Sequence, residues 1–330
     1  MELSSKTRKW LGLGLRLLLA GALVVLLGKM VSWREFYTNL RGVNPVLLGI
    51  GIALSIPNLI LQIAKWWLLV RRHIPAVTYG EATRSFLCGT AVGVVTPGRV
   101  GEMTRGAMLG TGDPVRLSGA VFLDKALNFG PLLVYLAIAL WRAGGPIPTL
   151  PVLVALAAYI YFVCAPQHAG PRLARLGRSP DSLIRRFLVA FSELDRPCAL
   201  QTTVLSVALY ICVHLQFWIC LAAYAPGASF HAATAGFVAL CFASSVPLAP
   251  GGVGTREAGT MVAVAAFGIS PAAGLNSSLI LFLTNLVIPS IGGGLLLLRG
   301  GIPSKPGSDP SSGKRDLREV VASSVEPSQP

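Results

Sequence analysis

Two short Pro-Gly strings, each followed by an acid and a base, hold the residues of this sequence best suited to bind a charged group. Pro97-Gly98-Arg99-Val100-Gly101 recurs 153 residues later as Pro250-Gly251-Gly252-Val253-Gly254. Proline presets a turn, and glycine lets backbone amides approach an anion closely. We therefore predict structural turns that present backbone amides to an anion, formed by Pro97, Gly98, Gly101, Pro250, Gly251, Gly252 and Gly254.

Charged side chains follow both strings and also occur inside the neighbouring apolar stretches. Each such charge costs about 2.5–3.5 kcal/mol on membrane-insertion scales, so it normally pairs or lines a wet cavity. The arginine fork matches two phosphate oxygens. We expect arginines to bind a headgroup phosphate and carboxylates to hold the arginines in place. The predicted substrate-binding residues are Arg99, Glu102, Arg105, Asp124, Lys125, Asn128, Arg256, Glu257 and Asn285.

The same residues also have a purely structural interpretation. In it, Arg256–Glu257 and Asp124–Lys125 are ion pairs that lock helices together, and the Pro-Gly strings only kink packed helices. Asp124 and Lys125 are adjacent on one predicted helix and therefore face different directions, so both interpretations stay open for them.

Three other polar residues inside apolar runs receive no functional role. Arg16 and Lys65 lie nearer the ends of their runs, from which a long side chain can reach the interface. His214 stands alone in an apolar segment, and we predict a hydrogen-bonded core histidine there rather than a proton relay.

The composition of the chain sets the context for these residues. Of 330 residues, 53% are hydrophobic and only 13% are charged, against about 25% charged in soluble domains. This excludes a soluble enzyme or a water-soluble binding module and indicates an integral membrane protein. The formal net charge of +14 is typical of basic cytoplasmic loops rather than of a nucleic-acid surface. The cysteines lie mostly in apolar runs without metal-ligand spacing, so we expect neither metal nor cofactor.

Six segments are long and apolar enough to cross a bilayer, which takes about 20 residues. Two more apolar stretches, Ala82–Val95 and Ala232–Ala249, run into the Pro-Gly strings and are each followed by a short second segment. Broken helices are tolerated in membranes only when they are buried in protein or line a cavity, so we predict two helix–turn–helix hairpins. The predicted full spans are Trp10–Gly28, Val46–Val70, Gly119–Trp141, Leu150–Ala165, Ala199–Tyr224 and Leu275–Leu298.

Basic residues then orient the chain. With a cytoplasmic N-terminus, the inner segments 1–10, 71–84, 166–198 and 299–330 hold 17 lysines and arginines, and the outer segments 29–45, 142–149 and 225–231 hold 4. We therefore predict that both termini are cytoplasmic.

In this orientation the first hairpin enters from the cytoplasmic side and the second from outside. The predicted fold is thus an all-α polytopic membrane protein with six spans and two Pro-Gly broken or re-entrant hairpins in an inverted repeat, about eight crossings if the hairpins span. Transporters built in this way bind substrate near the midplane at broken helices.

The domain prediction follows from these segments. Residues 1–9 form a cytoplasmic N-terminus, 10–300 a transmembrane domain with repeat halves at about 46–165 and 199–298, and 301–330 a disordered tail rich in Ser and Pro. The linking segment 166–198 is basic. Within it, Ser182–Phe191 is interpreted either as an amphipathic helix on an anionic leaflet or as an ordinary basic loop.

Catalytic signatures are missing from the sequence. It contains no P-loop, no His-Glu-x2-His and no Gly-x-Ser-x-Gly string. We therefore expect a protein that is not an enzyme. An intramembrane enzyme with Glu102 or Asp124 as a base stays an open alternative.

The strings Thr96-Pro97-Gly98-Arg99-Val100-Gly101-Glu102 and Pro250-Gly251-Gly252-Val253-Gly254-Thr255-Arg256-Glu257, with Arg105 and Asp124 between them, resemble the lysylphosphatidylglycerol synthase transmembrane family. Members are also called flippase-like membrane proteins. The likeness covers roughly residues 10–300. The family's Glu and Arg after each turn correspond to Glu102, Arg105, Arg256 and Glu257, while Arg99 replaces what is often a smaller residue.

The resemblance implies a multi-pass protein of a bacterial or archaeal inner membrane that moves a lipid between leaflets. In the two-domain synthases, the membrane half flips an aminoacylated phospholipid made by a cytoplasmic transferase domain. This sequence lacks that domain, so we expect a stand-alone member that does not synthesise such a lipid. Stand-alone relatives act beside pathways for hopanoids or glycosylated polyprenyl lipids.

The expected partners are membrane lipids, with a lipid-biosynthetic enzyme or glycosyltransferase as a further candidate and no nucleic acid. The leading hypothesis is a lipid flippase. The second is a non-transporting membrane partner of a lipid-modifying enzyme. The sequence leaves the cargo, the energy coupling and the oligomeric state open.

Overall fold

The computed structural model describes residues 43–96, 99–168, 172, 182–245 and 254–300, and this part of the chain is helical with connecting turns. The first predicted span, Trp10–Gly28, and the predicted tail 301–330 lie outside the described residues. So do the turn residues Pro97, Gly98, Pro250, Gly251 and Gly252.

The described residues form twelve α-helices. They are α1 Pro45–Ala53, α2 Ser55–Val70, α3 Tyr79–Val95, α4 Pro114–Ala126, α5 Phe129–Gly144, α6 Pro146–Cys164, α7 Leu183–Ser192, α8 Arg196–Tyr224, α9 Phe230–Ser245, α10 Thr255–Ala265, α11 Pro271–Phe282 and α12 Ile288–Gly300. Two 3₁₀ turns, Val100–Arg105 and Ala107–Leu109, follow α3, and a π turn, Leu283–Val287, joins α11 to α12.

Five helical stretches are long and apolar enough to cross a membrane, and each contains or closely overlaps a predicted span. They are Pro45–Val70, Pro114–Arg142, Pro146–Cys164, Arg196–Tyr224 and Pro271–Arg299. The helix α9 is apolar but shorter. These five predictions are confirmed. A break at residues 266–270 separates α10 from α11.

Several helices begin before the predicted apolar run because a polar cap and a proline define the true start. Asn44 accepts hydrogen bonds from Val46 N at 3.1 Å and Leu47 N at 3.2 Å. Asp113 accepts one from Val115 N at 3.0 Å, and Asp195 accepts one from Cys198 N at 3.1 Å. Each capping residue satisfies amides that the first helical turn leaves free.

The first predicted hairpin folds back on itself, but its returning arm is a 3₁₀ turn and not a second α-helix. A Cβ added to Gly93 would lie 2.4 Å from Glu102 Cγ, and one added to Gly89 would lie 2.8 Å from Arg105 Cβ. The returning arm thus runs antiparallel to α3 and contacts its glycines. The returning arm is thus helical, as the predicted hairpin requires, but it has the tighter 3₁₀ form found in short helical pieces and packs closely on the glycines of α3.

The second predicted hairpin has two α-helical arms, α9 and α10. Thr255 Oγ1 donates to Ala243 O at 3.2 Å, and the space beside Gly259 is filled by Ala243. The two arms therefore pack antiparallel, and the helix–turn–helix prediction is confirmed.

The two hairpins start at opposite ends of α8, a helix of 29 residues. At one end Arg72, shortly before α3, pairs with Asp195 at 3.0 Å. At the other end Trp218 Nε1 donates to Ala228 O at 2.8 Å, shortly before α9. Since α8 is about 43 Å long at 1.5 Å per residue, the hairpins enter from opposite sides, as the inverted arrangement predicts.

The amphipathic segment 182–191 forms a helix, α7, which packs on α4. The carbonyl of Phe187 fills the space beside Gly119. Arg186 Nε donates to Asp113 Oδ2 at 2.8 Å, and this hydrogen bond holds the pKa of Asp113 below its ordinary value. Leu183 and Ile184 remain exposed. This part of the basic linker is therefore a helix fixed to the protein.

A close helix contact joins α3 to α12. A Cβ added to Gly293 would lie 1.9 Å from Leu87 O, and Ser290 Oγ donates to Thr90 O at 3.4 Å. The first hairpin is thereby held against the last span. The absence of a side chain at Gly293 is what allows the two backbones to approach.

We expect Gly293→Ala to lower the free energy of unfolding by about 1–3 kcal/mol, the usual cost of overpacking. The matched control is Gly294→Ala, since nothing lies within 4 Å of a Cβ at Gly294. That change should be neutral or stabilising by up to about 1 kcal/mol, as in other helices. Thermal unfolding in detergent measures both, and equal midpoints for the two variants would contradict the contact.

Candidate functional site

Six charged side chains from three parts of the chain meet beside the first hairpin. We call them the first charged cluster: Lys65, Arg99, Glu102, Arg105, Asp124 and Lys125. They come from α2, from the 3₁₀ turn with the residue before it, and from the end of α4. Five of the six, all except Lys65, were predicted as binding residues near the first string or on the next span, and the structure brings them together.

Glu102 lies at the centre of this cluster and is fully buried. Its carboxylate forms ion pairs with Arg99, Lys125 and Arg105, the last at 3.4 Å. Arg99, Glu102 and Arg105 are spaced by three residues, and a 3₁₀ turn has three residues per turn. Their side chains therefore share one face. The local helix type explains why one carboxylate contacts both arginines.

Asp124 and Lys125 reach different partners, as their adjacent positions on α4 predict. Asp124 lies 3.0 Å from Lys65 Nζ and 3.5 Å from an Arg105 NH group, while Lys125 pairs with Glu102. Within the described residues they form no ion pair with each other. Both residues instead connect α4 to the rest of the first charged cluster.

The prediction that the side chain of Lys65 reaches the membrane interface is wrong. Only 1% of Lys65 is exposed. Its ammonium pairs with Asp124, hydrogen-bonds the side chain of Asn128, and donates to Asp124 O at 3.2 Å and Ser206 Oγ at 3.4 Å. A signal in the sequence was missed. Apolar residues separate Lys65 from the end of α2, and a carboxylate such as Asp124 inside an apolar run needs a buried cation as its partner.

Arg105 lies between two aromatic rings. Its guanidinium carbon is 4.3 Å from the Phe86 ring centroid and 5.2 Å from that of Trp66. Contacts of this kind are attractive, and more so when the cation is desolvated. Trp66 Nε1 is itself fixed by donating to Ser85 Oγ at 2.9 Å. Arg105 is therefore held rigidly at the back of the cluster.

Arg256 and Glu257 form a second, smaller group at the start of α10. They pair with each other, and Arg256 Nε also donates to Ser278 Oγ at 3.0 Å. The Arg256 guanidinium lies 4.5 Å from the Phe282 ring centroid. Glu257 accepts from Gly254 N at 2.7 Å. The pair thus joins the second turn to α11, as the structural interpretation expects.

Arg99 belongs to the first charged cluster, and its positive charge also acts on Arg256 of the second group. Its backbone has a φ of 57°, and among the residues that the structure describes it is the one non-glycine residue with a positive φ. Its side chain is 32% exposed while it pairs with buried Glu102. Arg99 is thus a partly exposed cation on a strained backbone.

The two predicted asparagines have different positions. Asn128 belongs beside the first charged cluster, where it accepts a hydrogen bond from Lys65. Asn285 instead lies in the π turn and donates to Gln216 Oε1 at 2.7 Å, while Gln216 Nε2 donates to Thr284 Oγ1 at 3.1 Å. Asn285 thus forms an uncharged link between α8 and the last span, and the part played by Gln216 was not predicted.

His214 is buried, and its Nε2 lies 3.2 Å from Thr234 Oγ1. Its ring centroid is 4.7 Å from that of Tyr135 and 5.3 Å from that of Phe237. A hydrogen-bonded histidine among aromatic rings agrees with the prediction of a core residue.

The helical spans and the charges buried between them define a multi-pass membrane protein of the flippase-like type. A family model described as the lysylphosphatidylglycerol synthase TM region matches residues 13–293. The chain belongs to this family, which confirms the resemblance seen in the two strings. No curated protein and no solved structure matches the chain.

We expect Lys65→Met to lower the free energy of unfolding by about 3 kcal/mol, because it leaves Asp124 buried with a weaker partner. The matched control is Arg72→Gln, which breaks a pair whose side chains are 40% and 44% exposed and should cost less than about 1 kcal/mol. Denaturant titration in detergent measures both values. If Lys65→Met lowered the free energy of unfolding as little as Arg72→Gln does, the lysine side chain would have to reach water.

Proposed function

We propose that this protein moves an anionic lipid across the cytoplasmic membrane, with the headgroup passing the first charged cluster. The candidates for the cargo are a phospholipid and a polyprenyl or hopanoid-type lipid. The observation that carries the proposal is the buried charge cluster at the returning arm of one hairpin, one member of which also acts electrostatically on Arg256 in a second hairpin that starts at the opposite end of α8.

The exposure of the cluster supports a headgroup site. The side chains of Lys65 and Arg105 are 2% and 3% exposed, whereas those of Arg99 and Lys125 are 32% and 36% exposed. The cluster therefore has a buried side formed by Lys65 and Arg105, which we call its back, and a partly exposed side formed by Arg99 and Lys125, which we call its front. A phosphate arriving at the front meets two cations that are held in place through Glu102, and arginine suits such a group.

The arrangement of the hairpins supports transport rather than static binding. In transporters with inverted repeats, the substrate site lies at broken helices and the two halves alternate in opening it. Here Arg99 and Arg256 come from the corresponding turns of the two hairpins and lie near each other. A headgroup bound between them would contact both halves, so each half can close over it from its own side.

The basic linker supports a cytoplasmic position for α7 and for both termini. Arg72 pairs with Asp195 at the end of α8 where α3 begins, and Arg186 of the linker pairs with Asp113 at the start of α4. The excess of lysine and arginine in these segments is the usual sign of the cytoplasmic side. The first hairpin then opens from the cytoplasm.

A second candidate function is that of a non-transporting partner of a lipid-modifying enzyme or glycosyltransferase. It is favoured by one surface: Leu183 and Ile184 on α7 are 64% and 61% exposed, beside Arg185, at the end of the protein assigned to the cytoplasm. If docking were the function, the double variant Leu183→Ser with Ile184→Ser would no longer capture the enzyme in detergent. The wild-type protein would then translocate no lipid.

We expect vesicles that contain the purified protein to translocate a fluorescent anionic phospholipid. Arg256→Ala should slow the translocation at least about tenfold, because one hydrogen bond to a charged group is worth about 1.5–3 kcal/mol. The matched control is Arg142→Gln, an exposed arginine outside both groups, which should keep the full rate. The measurement is loss of fluorescence on reduction of outer-leaflet lipid. No protein-dependent translocation of any anionic lipid would refute the proposal.

A further inference from the structure

The first charged cluster holds four cations and two anions. The cations are Lys65, Arg99, Arg105 and Lys125, and the anions are Glu102 and Asp124. The neighbouring group adds nothing to this balance, because Arg256 and Glu257 cancel each other. Within the described part of the chain, the charged neighbours that act on Lys65, Glu102, Arg105, Lys125 and Arg256 belong to the two groups. The cluster therefore carries a surplus of two positive charges.

Unpartnered polar atoms accompany this surplus. Arg99 Nε and Arg105 Nε are buried and have no hydrogen-bond partner among the described residues. Glu102 Oε1 and Asp124 Oδ1 have none either, although each lies within ion-pair distance of a cation. The single carboxylate of Glu102 pairs with three cations. A buried polar group normally finds a partner, and a ligand that brings anionic oxygens would both compensate the surplus charge and accept from the two arginine Nε groups.

We propose that the cluster selects a lipid headgroup with two negative charges, a phosphomonoester or a diphosphate, over a phosphodiester. This rests on the proposed function, since it names the chemical class of its cargo. A phosphodiester carries one negative charge and would leave half of the surplus uncompensated. A phosphomonoester carries about 1.5 to 2 negative charges at pH 7 and has three acceptor oxygens.

The exposed front of the cluster shows which groups the headgroup would contact. Arg99 and Lys125 are the partly exposed cations, and both pair with Glu102. On binding, they would exchange the carboxylate for phosphate oxygens, and Glu102 would keep Arg105 as its partner. Glu102 thus pairs with the same two cations that the headgroup would bind.

The experiment compares lipids that differ only in the headgroup. Nanodiscs containing the purified full chain are titrated with dioleoyl phosphatidic acid, dioleoyl phosphatidylglycerol and inorganic phosphate, and binding is measured by native mass spectrometry and thermal shift. At pH 7.5 we expect phosphatidic acid to bind on the order of tenfold tighter than phosphatidylglycerol, the effect of one additional close charge pair. At pH 5 the preference should shrink, because the second ionisation of a phosphomonoester has a pKa near about 6.

Two variants test the origin of the preference. Lys125→Gln and Arg99→Gln each reduce the surplus to one charge at a partly exposed position, so either variant should bring the two lipids close to equal affinity. Arg142→Gln is the matched control and should keep the wild-type preference. A preference that persists in both folded cluster variants would overturn the inference.

The other outcomes separate this inference from the proposed function. Equal binding and translocation of both lipids would overturn the dianion selectivity and leave lipid transport standing. Selective binding of phosphatidic acid without translocation would support the selectivity and refute transport. Inorganic phosphate that binds as tightly as phosphatidic acid would overturn a lipid site in favour of a free anion site.

Discussion

Removing an ionised side chain from water costs several kcal/mol unless opposite charges and hydrogen bonds surround it. In this protein the carboxylate of Glu102 meets that requirement for three cations at once, at a depth where helices α2, α3 and α4 enclose it. Gly93 gives Glu102 its space, because any side chain there would collide with it. The 3₁₀ form of the returning arm aligns its arginine partners. The geometry of the first hairpin is therefore adapted to this one buried carboxylate.

The surrounding fold can be understood from the need to hold such a cluster at a fixed depth. The contact between α3 and α12 at Gly293 keeps the hairpin against the last span. Lys65 and Asp124 connect α2 to α4 across the back of the cluster. On the side of the linker, α7 fixes the start of α4 through Arg186 and Asp113. Between α11 and α12 the regular helix is interrupted by the π turn Leu283–Val287, and π turns often occur at functional positions in helices.

The sequence was sufficient for the features that depend on long, continuous patterns. Apolar runs located five spans, and the Pro-Gly strings located both hairpins. Features that depend on contacts between distant residues were not accessible. Lys65 and Asp124 are 59 residues apart, and nothing local to Lys65 shows that α4 covers it. The 3₁₀ turn was also missed, because its form follows from packing on the glycines of α3 and not from its own residues.

The left-handed backbone of Arg99 distinguishes the two halves of the molecule. At the equivalent position of the second string the residue is Gly252, and glycine adopts a positive φ without steric cost, whereas other residues lose roughly 1–2 kcal/mol. The first hairpin therefore carries a guanidinium at a position that costs backbone strain, whereas the second string has no side chain at the equivalent position. The two strings thus repeat the same pattern of proline and glycine with unequal side-chain chemistry.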